Sequence, residues 1–131
     1  MTSLLRLLSA LLGATALASC AQTPPEPPSQ RLAQELRTAI GPARCTSDSQ
    51  CRSLPVGAKP CGGPAGYWAW STEGTDAKRV LELARQQSDA QKREIEASGL
   101  LSDCRVIVDP GAACIANRCE LARPGAGAAA R

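Results

Sequence analysis

Apolar positions along this chain recur with two different periods, and each period marks a different kind of element. Over residues 30–40, Leu32, Leu36, Ala39 and Ile40 return at helical spacing. Ser29 stands ready as a cap and Gly41-Pro42 as a stop, so a short helix is expected there. A longer helical pattern runs over 76–98, with Thr75 as its expected cap and Gly99 as its end. Its apolar stripe reads Ala77, Val80, Leu81, Ala84, Ser88, Gln91 and Ile95, while Lys78, Arg85, Asp89, Lys92, Arg93 and Glu96 mark the solvated sides. Asp89 with Arg93 and Lys92 with Glu96 stand four residues apart, the spacing of ordinary helix-surface pairs.

Strand signals fill the intervals. Residues 50–56 predict a strand with Pro55 near an edge, preceded by a tight turn around Ser47-Asp48. A lone Asp48 without companions at metal spacing reads as a turn former rather than a calcium ligand. The β-branched run 104–108 predicts another strand, followed by the turn Asp109-Pro110-Gly111. Residues 113–121 predict a hairpin turning at Ala116-Asn117, because Asn accepts positive φ. Together these elements imply an α+β fold. One long helix packs on a small antiparallel sheet of three or four strands, and a short N-terminal helix docks beside it.

The stretch 57–66 is too rich in Gly and Pro for regular structure, and it runs directly into Tyr67-Trp68-Ala69-Trp70-Ser71, which holds every aromatic of the chain. Gly62-Gly63 lacks the Lys-Ser or Lys-Thr that a phosphate loop requires. Two readings of the aromatic segment stand side by side. In one, Tyr67 and Trp70 form the centre of a small core under the long helix. In the other, Lys59 in its Pro- and Cys-bounded loop and an outward Trp68 form one exposed contact surface for a partner.

Composition narrows the chemistry. The 131 residues include no histidine, which removes the usual proton shuttle and the commonest metal ligand. No pair of carboxylates is convincingly placed for acid and base work, so a non-enzymatic role without cofactor or metal is expected. A net charge of +3, with its cations scattered singly, implies no nucleic-acid partner. One of those cations, Arg6, lies in a leader segment, and its removal lowers the charge by one.

That leader is the most specific part of the sequence. Residues 1–19 carry Arg6 and then an apolar run over 7–17, broken by Ser9, Gly13 and Thr15. The run is shorter than the roughly 20 residues a membrane-spanning helix needs. It closes on Leu17-Ala18-Ser19-Cys20, which resembles the lipobox of bacterial lipoproteins. The resemblance implies cleavage of 1–19 before Cys20, lipidation of Cys20, and attachment to a membrane through that lipid. Ala21 and Gln22 carry no aspartate retention signal, so the resemblance further implies the outer membrane, facing the periplasm. Residues 20–30, with Pro24, Pro25, Pro27 and Pro28, then read as a stiff tether in polyproline II geometry.

Cysteine parity agrees with that reading. Seven cysteines are odd for an exported chain, and lipidation of Cys20 leaves six: Cys45, Cys51, Cys61, Cys104, Cys114 and Cys119. In an oxidising compartment these close into three disulfides, at roughly 2–4 kcal/mol each. Zinc is the rival use, disfavoured by the lack of any C-x-x-C pair or histidine. Six cysteines allow fifteen pairings. The hairpin sets Cys114 opposite Cys119, where a cross-strand bridge is possible, and a bridge from each to another segment is equally open.

The segments 45–51, 57–64, 67–71, 102–104 and 114–119, with Cys61-Gly62-Gly63-Pro64 at their centre, resemble a group of short six-cysteine bacterial lipoproteins. That resemblance implies a secreted disulfide domain and no particular activity. The expected organisation is a leader over 1–19, a lipidated tether over 20–30, a disulfide-rich domain over 31–122 and a disordered tail over 123–131. The expected role is a membrane-anchored binding or structural module with an envelope protein as partner. The alternative is a lipoprotein inhibitor of an extracytoplasmic hydrolase acting through the Lys59 loop, and a more remote one is an enzyme of unknown chemistry.

Overall fold

The computed structural model describes residues 24–102 and 104–123. The leader, Cys20 and the tail beyond 123 lie outside the described residues. The elements run α1 (Pro28–Ile40), a single 3-10 turn (Asp48–Gln50), β1 (Cys51–Val56), β2 (Gly66–Ser71), α2 (Ala77–Ser98), β3 (Ala112–Ile115) and β4 (Arg118–Leu121).

The fold is α+β as expected, but the strands form two separate two-stranded antiparallel sheets rather than one sheet of three or four. β1 pairs with β2 from Cys51 opposite Ser71 to Val56 opposite Gly66. β3 pairs with β4, with Cys114 opposite Cys119. The expected strand over 104–108 is absent, and Val106 and Val108 are exposed. A β-branched composition favours a strand only where a partner edge is available. Here the segment is held by Cys104 and by Asp109 instead, which accepts from the Ser53 hydroxyl at 2.8 Å and from the Gly111 amide at 2.8 Å.

Both helices begin differently from expectation. Pro28 occupies the first turn of α1, where its missing N–H costs nothing and its fixed φ suits a helix. The helix thus takes in residues 28–30 of the segment expected as a tether. Ser29 does not cap: it is buried inside the first turn, and its amide and hydroxyl both donate to the Glu94 carboxylate of α2, at 2.9 and 2.5 Å. The cap of α2 is Asp76 rather than Thr75, accepting from the Arg79 amide at 3.0 Å. Gly99 ends α2 in the left-handed conformation.

The buried stripe of α2 is Val80, Leu83, Ala84, Gln87 and Ala90. It is rotated from the expected one, and Leu81 is 54% exposed. α2 lies between two neighbours, α1 and β1, so its buried face is set by both and not by its most apolar side. The two helices run antiparallel: early α1 meets late α2 through Ser29 and Glu94, and Glu35 pairs with Arg79 at 3.5 Å towards the opposite end. Leu36, Ile40, Val80, Leu83 and Ala84 meet Leu54, Val56 and Trp70 in one core, and Cys45, Cys51 and Cys119 join it.

The three disulfides are Cys45–Cys114, Cys51–Cys119 and Cys61–Cys104. Of the two possibilities for the hairpin cysteines, the one in which each reaches another segment holds. The segment before β1 also pairs with β4 directly: the Cys45 amide donates to the Asn117 carbonyl at 3.1 Å and the Cys119 amide to the Ala43 carbonyl at 2.8 Å. Asp48 accepts from the Cys114 amide at 2.7 Å, so the residue read as a turn former also pins β3.

Peptide mapping of the unreduced protein is expected to recover these three pairings, and alkylation without reduction to add nothing to the six cysteines. The β3–β4 turn places both Ala116 and Asn117 at positive φ, 49° and 62°. Alanine is strained there and glycine is not, so Ala116→Gly should stabilise the oxidised protein by about 0.5–1 kcal/mol in denaturant unfolding.

Candidate functional site

The two residues expected to share a contact surface are separated by the fold. Lys59 lies in the connection after β1. Its amide donates to the Gly63 carbonyl at 3.1 Å, and the Gly62 amide returns a bond to the Lys59 carbonyl at 2.9 Å. This tight turn rests on α2 through two glutamines. Gln87 accepts from the Gly57 amide at 2.6 Å, and Gln91 accepts from the Ala58 amide at 3.1 Å. Lys59 is half-buried rather than exposed, because its ammonium donates to the Arg105 carbonyl across the Cys61–Cys104 bridge. A buried backbone turn needs such acceptors, and the Arg105 carbonyl separately draws the lysine ammonium inward.

Trp68 stands in the middle of β2, opposite Leu54, and faces α1. It is half-buried against the core, while Trp70 is buried within it. Tyr67 sits on the alternate side of the strand, opposite Pro55, and is not part of the core. The aromatic segment thus divides: Trp70 is core as expected, Tyr67 is not, and Trp68 is half core and half surface.

On its open side Trp68 carries the guanidinium of Arg37, 4.3 Å from the ring centroid. That distance is well inside the range of a cation–π contact. Together with Ile40, Gly41, Ala43, Ala69 and Arg118 they line a hollow of about 270 Å³ between α1, β2 and β4. Neither Arg37 nor Arg118 has a carboxylate partner among the described residues. Arg118 also stands opposite a second arginine, Arg44, in an isolated antiparallel bridge. Like charges placed opposite one another are unfavourable unless an anion lies nearby. The hollow thus combines an apolar floor, an indole face and two guanidinium groups. These suit a carboxylate or phosphate, which accepts hydrogen bonds from a guanidinium edge while the aromatic holds its plane.

Arg37 and Arg118 were not legible as partners. They are 81 positions apart, and the pairing of β4 with the 43–45 segment that follows α1 brings them to one hollow.

A second groove, of about 360 Å³, lies between α2 and the 57–64 turn and is lined by Leu54, Pro55, Pro64 and the exposed Leu81. Its charged wall is self-paired. Arg85 bonds Glu82 at 2.7 Å and Asp89 at 3.2 Å, and hydrogen bonds from Arg85 and then Gln86 hold the Glu82 carboxyl below its ordinary pKa. Charges already matched on their own helix leave less to offer a ligand than Arg37 and Arg118 do.

The sulfurs of Cys45, Cys51 and Cys119 lie within 4.8 Å of one another in the core. Thiolates so placed would hold a metal, but these sulfurs are bonded into disulfides, which lack the ligating charge. No family model, curated protein or solved structure matches the chain.

Gly57 has φ of 70°, and a Cβ there would stand 2.5 Å from the Gln91 oxygen and 2.8 Å from the Ala65 Cβ. Gly57→Ala is therefore expected to cost about 1–3 kcal/mol in thermal or denaturant unfolding. It should also expose the 57–63 amides to faster hydrogen exchange.

Proposed function

We propose that this protein is a lipid-anchored lipoprotein of the bacterial envelope, held at the outer membrane through Cys20, with a non-enzymatic binding role. The anchor is supported by the leader over 1–19 and its Leu17-Ala18-Ser19-Cys20 ending. It is supported in kind by three disulfides, which form and persist in oxidising compartments. The binding role is carried by one observation. Arg37 stacked on the half-buried Trp68, beside Arg118, leaves two guanidinium groups without a carboxylate partner among the described residues in an apolar-floored hollow. The partner is an envelope protein that presents an acidic group to this hollow.

The anchor and the binding surface are tested separately. Cys20→Ser should shift the protein to the soluble fraction or leave an uncut precursor. Palmitate labelling that survives this change would overturn the lipoprotein reading. Arg37→Glu combined with Arg118→Glu changes exposed side chains only. It should keep the thermal midpoint within about 4 °C of the parent, as suits a change that leaves the core intact. Covalent capture of the partner in intact envelopes should fall roughly tenfold or more, as expected when a guanidinium–carboxylate contact becomes repulsion. Undiminished capture by the folded double variant would place the binding surface elsewhere.

A further inference from the structure

Five of the seven large apolar side chains exposed among the described residues lie in the one segment that follows α2, the others being Leu81 and Ile115. Leu100 is 62% exposed, Leu101 95%, Val106 83% and Val108 79%. Ile107, between the two valines, is 38% exposed. Monomeric soluble domains rarely leave so many β-branched and leucyl side chains together in water without a use for them.

Their place in the fold says what the use is. Leu100 and Leu101 follow directly on the Gly99 cap of α2. Val106 to Val108 are tied to the 57–61 turn by the Cys61–Cys104 disulfide and by the bond from Lys59 to the Arg105 carbonyl, and the 57–58 backbone is fastened to Gln87 at the middle of α2 and to Gln91 one turn further on. This is also the end of the domain at which the chain enters. Ser29, at the start of α1, is bonded to Glu94 near the end of α2, and the last helical residue, Ser98, lies four residues beyond Glu94, about 6 Å at helical rise, with Leu100 two residues further on. Only eight residue steps separate Cys20 from Pro28, a reach of about 28 Å when fully extended.

From this arrangement we infer that Leu100, Leu101, Val106, Ile107 and Val108 form a membrane-docking edge, which inserts into the phospholipid surface to which the chain is anchored. The inference rests on the lipid anchor at Cys20. Anchoring by so short a tether raises the local concentration of lipid surface, so an apolar contact too weak to hold a free protein becomes occupied. The edge presents side chains and no unpaired strand, which suits the interfacial region rather than a bilayer span. Docked this way, the domain stands with the α1–α2 end on the lipid. The Arg37–Trp68–Arg118 hollow, formed with the last turn of α1, then lies towards the opposite end.

The test uses the full mature chain, purified with its lipid and reconstituted in vesicles of phosphatidylethanolamine and phosphatidylglycerol. Trypsin cleavage after Arg105, an exposed residue between the two apolar stretches, is read by mass spectrometry after reduction, with cleavage after Arg44 as the internal control. Relative to Cys20→Ser protein without vesicles, cleavage after Arg105 should slow roughly tenfold or more while cleavage after Arg44 is unchanged. Leu101→Ser with Val106→Ser and Val108→Ser should restore cleavage in protein that still sediments with the vesicles. Wild-type protein that sediments but is cut freely after Arg105 would overturn the docking edge and leave the anchor standing. Wild-type protein that never sediments would overturn the anchor and with it this inference. Protection that arises only when envelope proteins are added would overturn the lipid as occupant in favour of a protein.

Discussion

The fold depends on a single knot of sulfur chemistry, in which Cys45 and Cys51, six residues apart before and at the start of β1, take Cys114 and Cys119 from the two strands of the last hairpin. These bridges close loops of 69 and 68 residues. In the chain-entropy account each alone removes about 4 kcal/mol of freedom from the unfolded chain, and because the loops overlap the sum is less than double. Without them β3 and β4 would be an isolated two-stranded hairpin, which is marginal in water. With them the hairpin covers one side of β1 and β2, Cys119 enters the core, and backbone bonds from Cys45 and Cys119 become cooperative additions rather than the primary tie.

The helical layer solves a different problem. A domain this small buries few large side chains, and its core is made of Leu36, Leu54, Leu83, Val80 and Trp70 with small residues between them. Polar contacts at the edges of that layer fix its register. Glu94 accepts twice from Ser29 and locks the two helices together, while Gln87 and Gln91 accept from the turn that β1 runs into. A half-buried carboxylate and two glutamines are stable there because each meets backbone or hydroxyl donors that would otherwise be unpaired. The Arg105 carbonyl draws Lys59 inward, while Arg37 and Arg118 are the arginines that meet in a hollow.

That arrangement decides where the molecule can make contacts. The side chains expected to act together, Lys59 and Trp68, belong to different neighbourhoods: one to the α2 turn and Cys104, the other to the α1 face. The hollow at Trp68 is instead completed by arginines from α1 and β4. Beside the 57–61 turn and β1, the apolar residues that the sequence pattern assigns to a strand join neither sheet and stay exposed. Both surfaces are products of the same constraint. The disulfides dictate which segments lie together, and side chains that find no partner within that arrangement become the protein's exterior chemistry.

Much of this was determined by the chain alone. Hydrophobic period and stop residues located both helices to within a few residues, since Gly41 and Gly99 act locally and need no tertiary partner. The odd cysteine count, the lipobox resemblance and the Ala116-Asn117 turn were likewise readable, because each depends on neighbours in sequence. What the tertiary structure alone decided are the properties that require a partner distant along the chain. Ser29 left the cap position of α1 because it had Glu94 to bind. The stripe of α2 turned because two neighbours, not one, cover it. The segment 104–108 stayed out of both sheets because Cys104 and Asp109 hold it through a disulfide and side-chain bonds instead of a strand ladder. The cysteine pairing followed from the position of the hairpin over β1, and so did the meeting of Arg37 with Arg118. A sequence states which side chains seek burial or charge, but which of them find each other depends on the path of the backbone between them.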